Sequence, residues 1–154
     1  MTTTTAAEPQ PSGAAGSPFP EPLRQSLLDG ANHLAADGLA CLEEVPAWVH
    51  FQHGADLNRL YELALGVVDY LERLPSVGAR MMTEGGSRES ALALLGGELE
   101  DRLAILDKEV GTVSRRLTDD GDASRRVAML KQRAGDLLVQ VRIHCPATER
   151  PEHG

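Results

Sequence analysis

Aromatic side chains are scarce in this sequence: Phe19, Trp48, Phe51, Tyr61 and Tyr70 are the only five among 154 residues. β-Branched aliphatics are sparse as well, with 22 leucines against 12 valines and isoleucines together. Sheets favour aromatic and β-branched side chains, whereas Leu keeps its rotamer freedom on a helix. An all-β fold is excluded on that ground. Lysine is nearly missing too, since 13 of the 15 basic residues are Arg. Together with abundant Ala and Gly, that bias fits the coding of a GC-rich bacterial genome better than phosphate recognition.

Two cysteines, Cys41 and Cys145, are too few for a disulfide framework and point to a reduced, cytoplasmic setting. Apolar runs are short, such as Leu92 to Leu95, where a bilayer span needs about 20 residues. No basic residue precedes Arg24 and no apolar core region follows the start, so the expectation is a chain without a secretory signal or membrane span. A net charge of −8 opposes general attraction to nucleic acid or anionic lipid.

Catalytic signatures are missing in the same way. The sequence has no GxGxxG and no GxxxxGK[ST] phosphate cradle, and CxxC, HExxH and GxSxG do not occur. A carboxylate-bridged di-iron bundle needs Glu-x-x-His pairs, yet Gly30, Ala47, His50, Val141 and Arg150 stand three residues before the five histidines. The expectation is a protein that is not an enzyme and holds no cofactor.

What remains is helical periodicity. The first 22 residues carry five of the nine prolines among Thr, Ser, Gly and Ala, and residues 1–20 read as a disordered tail. Residues 146–154 read as a second, short tail. Between them, 21–145 reads as an antiparallel four-helix bundle, all-α. Helix one runs from Pro22 to Val45 on Leu27, Ala31, Leu34, Gly38 and Cys41. Helix two follows Asp56 as N-cap and reaches Leu74, where Pro75 predicts its end. A loop carrying Met81 and Met82 leads to Ser87, which predicts the cap of helix three. That helix bears a Leu/Val seam from Leu92 to Leu117. Gly121 is suited to a left-handed turn and Asp122 to the cap of helix four, which runs from Ala123 to His144.

Four candidate sites follow. His50 and His53, one helical turn apart, could ligate a metal with Glu43 or Glu44, although two polar residues of an interhelical segment near the surface are the simpler reading. Trp48 and Phe51 lie in the same 46–55 segment. With Tyr61 and Tyr70 they suggest an aromatic knot, either a docking patch or a lid over the bundle end. Arg115, Arg116, Arg125 and Arg126 flank an aspartate-rich turn and could grip an acidic partner or nucleic acid, unless those aspartates and the helix termini absorb them. Glu98, Glu100 and Asp101 could form a carboxylate site but straddle Leu99 on an outer face.

The leading expectation is a non-enzymatic interaction protein, an adaptor, assembly factor or scaffold subunit, working through a protein partner or as a homo-oligomer. The alternatives are a small-molecule or metal-binding bundle using residues 46–55, and a small regulator contacting nucleic acid or an acidic partner through the Arg115–Arg126 turn.

Overall fold

A computed structural model of the chain describes residues 18–117 and 121–145. Four helices account for nearly all of it: α1 (Glu21–Glu43), α2 (Ala47–Thr83), α3 (Arg88–Arg116) and α4 (Gly121–His144). Each helix packs on its sequence neighbours and α1 closes the ring against α4. Cross-helix contacts fix the direction. Arg24 meets Leu71 and Gly38 meets Tyr61 between α1 and α2, while Asp37 pairs with Arg133 and Glu44 with Arg126 between α1 and α4. In both pairs one partner number rises as the other falls, so neighbours run antiparallel. The fold is the expected up-down four-helix bundle.

The expected stripes form its core. Leu27, Ala31, Leu34 and Cys41 of α1 face Leu57, Leu60, Ala64, Val67, Leu71 and Leu74 of α2. Leu95, Leu99, Leu103, Leu106, Val110 and Val113 of α3 and Val127, Leu130, Ala134, Leu137 and Val141 of α4 complete the cluster. A lone helix of this length is marginal in water, so burial of these stripes supplies the stability.

Several boundaries differ from the sequence reading. Phe19, assigned there to the tail, is 3% exposed and belongs to the core. The rest of that tail, residues 1–17, and the C-terminal segment 146–154 lie outside the described residues. Helix α2 begins at Ala47, not after Asp56. Pro46, extended at φ −60 and ψ 155, holds the N-cap position, and the added turns bury Val49.

Helix α2 also passes through Pro75 to Thr83. Pro75 has no N–H to give the Leu71 carbonyl, but an Arg24 Nη1–H from α1 donates to that oxygen at 3.0 Å. Burial of Leu74 and Gly78 and packing of Val77 and Met81 on the core favour continuation. Met81 and Met82 are therefore helical, not loop residues. Gly85, at φ 92, ends the helix: its N–H donates to Met82 and that of Gly86 to Met81, a Schellman closure.

Ser87 caps α3 as expected, its hydroxyl accepting the Ser90 N–H at 3.0 Å. Gly121 opens α4 in place of a left-handed turn, and Asp122 sits in the first helical turn, where a carboxylate favours the positive helix end.

Candidate interaction surface

One end of the bundle gathers most of the predicted site residues. Here the C-termini of α1 and α3 meet the N-termini of α2 and α4. Trp48, His50, Phe51 and His53 all stand on the opening turns of α2. The buried face of those turns is held by Val49, fully enclosed, with Leu57 below it. That leaves the rings free of the core. Phe51 is 93% exposed and Trp48 45% exposed. They do not form a lid over the bundle end; Val49 closes it instead.

The four-ring knot is corrected at the same time. Trp48 and Tyr70 lie on one continuous helix, about 33 Å apart along its axis at 1.5 Å per residue. Tyr61 is half-buried against Gly38 of α1. Tyr70 is buried, with its hydroxyl 3.2 Å from Glu98 Oε1 and 3.3 Å from the Leu95 carbonyl oxygen. Arg102 lies over its ring, 4.2 Å from the centroid. Burial, reinforced by the Glu98 carboxylate, pushes the phenol above its ordinary range and keeps it protonated. Tyr70 is a staple between α2 and α3.

His50 is exposed and His53 half-buried on neighbouring positions of one helix. Of the acids suggested to complete a metal site, Glu44 is engaged by Arg126 Nη1 at 2.7 Å. Among the described residues, no three His, Cys, Asp or Glu side chains converge closely enough to hold a metal ion.

The four arginines are gathered at this end, but intramolecular partners occupy them. Arg116 pairs with Asp56 of α2 at 3.0 Å, and Arg125 with Asp122 at 3.2 Å. Arg126 reaches Glu44 on α1 and lies 3.6 Å from Asp122, while Arg115 donates to the Thr112 hydroxyl at 3.4 Å. Sequence reasoning anticipated the local aspartate; it missed Asp56 and Glu44, which come from helices far away in the chain. These contacts are exposed and individually weak, yet they pair three of the four arginines with carboxylates inside the bundle.

The proposed carboxylate site disperses. Glu98 accepts from the Tyr70 hydroxyl on α2 at 3.2 Å and Glu100 from Arg142 on α4 at 2.8 Å, so partners on two different helices draw them apart, although both still border, with Asp101, one shallow hollow on the outer face of α3.

Cys41 and Cys145 are both buried and unpaired. The Asp37–Arg133 and Glu44–Arg126 contacts bring Cys41 level with the first third of α4, roughly 24 Å from Cys145 by helical rise. That exceeds the reach of a disulfide. Burial pushes each thiol up to about 11.

Compared with known proteins, the chain matches no family model, no curated protein and no solved structure. No helix among the described residues is long and apolar enough to cross a membrane.

Proposed function

We propose that this protein is a non-enzymatic helical interaction module that docks a protein partner through Trp48 and Phe51. A single observation carries the reading: Phe51 is 93% exposed on a continuous helix, one turn from a half-exposed Trp48. A Phe left in water forgoes about 1.5–3 kcal/mol of burial, and nothing in the fold compensates for it. Trp and other large rings are the residue types that anchor protein interfaces, because they bring much apolar area at low entropic cost. The two rings expose roughly 300 Å² together, less than the ~800 Å² per partner of a stable complex. They suit an apolar cleft on a partner that also touches the polar His50 and His53 on the same turns of α2.

Adaptor, assembly factor and scaffold subunit are the roles this mode of contact fits. A photo-crosslinking amino acid placed at Phe51 in cells tests it. The expected result is one discrete adduct, lost when Trp48 is also changed to Ala and not seen from a probe at Leu65 on the flank of α2. Equal, diffuse labelling from both positions overturns the reading.

A further inference from the structure

The outward side of α4 carries a second apolar feature, separate from the tip. Met129, Val139 and Ile143 are 54%, 52% and 65% exposed. With Arg125, Gln132 and Asp136, all exposed, they fall at alternating spacings of four and three residues. That is a heptad seam, running for about 27 Å along the side of α4 opposite the one buried in the core. Beyond its buried stripe, α4 carries this second line, in which three apolar side chains share the seam with three polar ones.

The seam is complementary to itself. When two copies of α4 run antiparallel about a two-fold axis near residues 134 and 135, Met129 faces Val139 of the other copy. Gln132 then faces Asp136, an amide that can donate to a carboxylate, and Ile143 lies along the aliphatic stem of Arg125. Each contact occurs twice, as an isologous interface requires. The flanks are compatible. Gly135 lies level with the axis on one flank of the seam, and a Cβ built on it meets nothing within 4 Å, so no side chain there stands in the way of a second copy.

Charge does not oppose the pairing. The basic residues beside the seam already have partners on neighbouring helices: Arg126 with Glu44, Arg133 with Asp37 and Arg142 with Glu100. The seam itself holds one Arg, paired with Asp122, and one Asp. Its buried area is roughly 500 Å² per copy, near the lower end of specific association, which fits a dimer that dissociates on dilution.

We propose that the exposed seam of α4 pairs with the same seam of a second copy, giving an antiparallel two-fold dimer. Such a dimer leaves the Trp48–Phe51 tips free, one at each end, so that it could engage two partner sites at once. It stands or falls independently of the reading given to those tips.

Sedimentation equilibrium of the full chain over a wide concentration range is the first measurement. The wild type is expected to move from monomer to dimer, and Val139→Lys to weaken the dimer roughly tenfold or more with the same far-UV circular dichroism. Cross-linking then reads direction. Gly135→Cys should join two copies through a short bismaleimide, since the two positions lie side by side on one flank, level with the axis. Ile143→Cys should not join to itself, because its two copies lie roughly 25 Å apart along the dimer. A chain that stays monomeric at the highest concentration overturns the proposal, as does a dimer indifferent to Val139→Lys. Efficient Ile143→Cys cross-linking means parallel pairing and overturns it too. Trp48→Ala with Phe51→Ala should leave the dimer mass unchanged; loss of the dimer there would place the contact at the tip.

Discussion

Arg24 on α1 donates a hydrogen bond to the carbonyl oxygen of Leu71, the group that Pro75 leaves without its helical donor. A side chain from one helix thereby repairs the backbone of the next. Truncating Arg24 to Ala should expose the defect at a cost of about 1 kcal/mol, the scale for a part-buried acceptor that loses a charged donor. The cost should be conditional. Pro75→Ala restores the missing N–H, and in that background Arg24→Ala should cost measurably less. Urea titrations of the four proteins of the cycle measure the difference. Equal costs in both backgrounds would mean that Arg24 acts through its other contacts.

Arg24 is itself held by Glu21, whose carboxylate accepts from Nε at 3.0 Å and from Nη2 at 2.8 Å, with Gln25 Nε2 also at 3.0 Å. The hydrogen bonds from Arg24, then that from Gln25, hold the Glu21 carboxyl down at about 2 against an ordinary 4.5. A depressed carboxylate stabilises the fold fully above its unfolded value and loses that contribution as pH falls through the folded one. The stability advantage of wild type over Glu21→Gln should therefore be constant above pH 5 and vanish between about 4.5 and 2. It should be small, because half-exposed pairs are screened by water and salt. An advantage that persists at pH 2 would count against the carboxylate as its source.

Adjacent glycines in α3 should respond in opposite directions. A Cβ on Gly96 would stand 2.6 Å from Cys145 Cβ, a contact that neither atom can swing away from. Gly96→Ala should push the end of α4 outward and destabilise the bundle by about 1–3 kcal/mol, beyond the gain in helix propensity. A Cβ on Gly97 meets nothing within 4 Å. There only the propensity gain remains, and Gly97→Ala should stabilise by up to about 1 kcal/mol. Thermal melts of the two variants, side by side, check the sign of each.

These cases show why the stripes of the bundle were legible in the sequence and its exceptions were not. The seams on Leu57–Leu74 and Leu95–Val113 are periodic, and periodicity is a local property of the chain. Ser87 was equally readable, because its bond to Ser90 lies within the same turn. Pro75 read as a stop since the donor that serves the Leu71 carbonyl in its place lies 47 residues before Leu71, on another helix. Asp56 read as a cap because its true partner, Arg116, is 60 residues distant. The aromatics clustered in sequence but were drawn apart once 1.5 Å of rise separated each residue from the next. The exposed rings could not be told from lid residues, because which face of α2 they occupy depends on a helix start ten residues earlier than expected.

Both thiols should be inert in the folded protein. Burial in apolar surroundings pushes Cys41 and Cys145 up to about 11, so at pH 8 nearly all of each is the unreactive thiol. A chromogenic disulfide reagent should titrate almost no sulfhydryl in buffer and two per chain in denaturant. The sign with alkali follows from the direction of the shift: a raised folded value favours the native state below the unfolded 9, and the benefit declines as pH climbs from 9 toward 11. Rapid labelling of either thiol in buffer would require a local opening of the helix end that carries it.

Val49 and Phe51 separate stability from recognition within a single helical turn. Val49 is fully buried in the core cluster, whereas Phe51 is 93% exposed. Val49→Ala should therefore cost roughly 1–2 kcal/mol by removing buried methyl groups, with partner binding affected only through loss of fold. Phe51→Ser should change stability by no more than about 0.5 kcal/mol and yet abolish partner capture at the tip. Measured together by urea titration and cross-linking yield, the two variants should fall on opposite axes. If Phe51→Ser instead costs as much stability as Val49→Ala, the ring is part of the core in solution, and the tip loses its claim to be a docking surface.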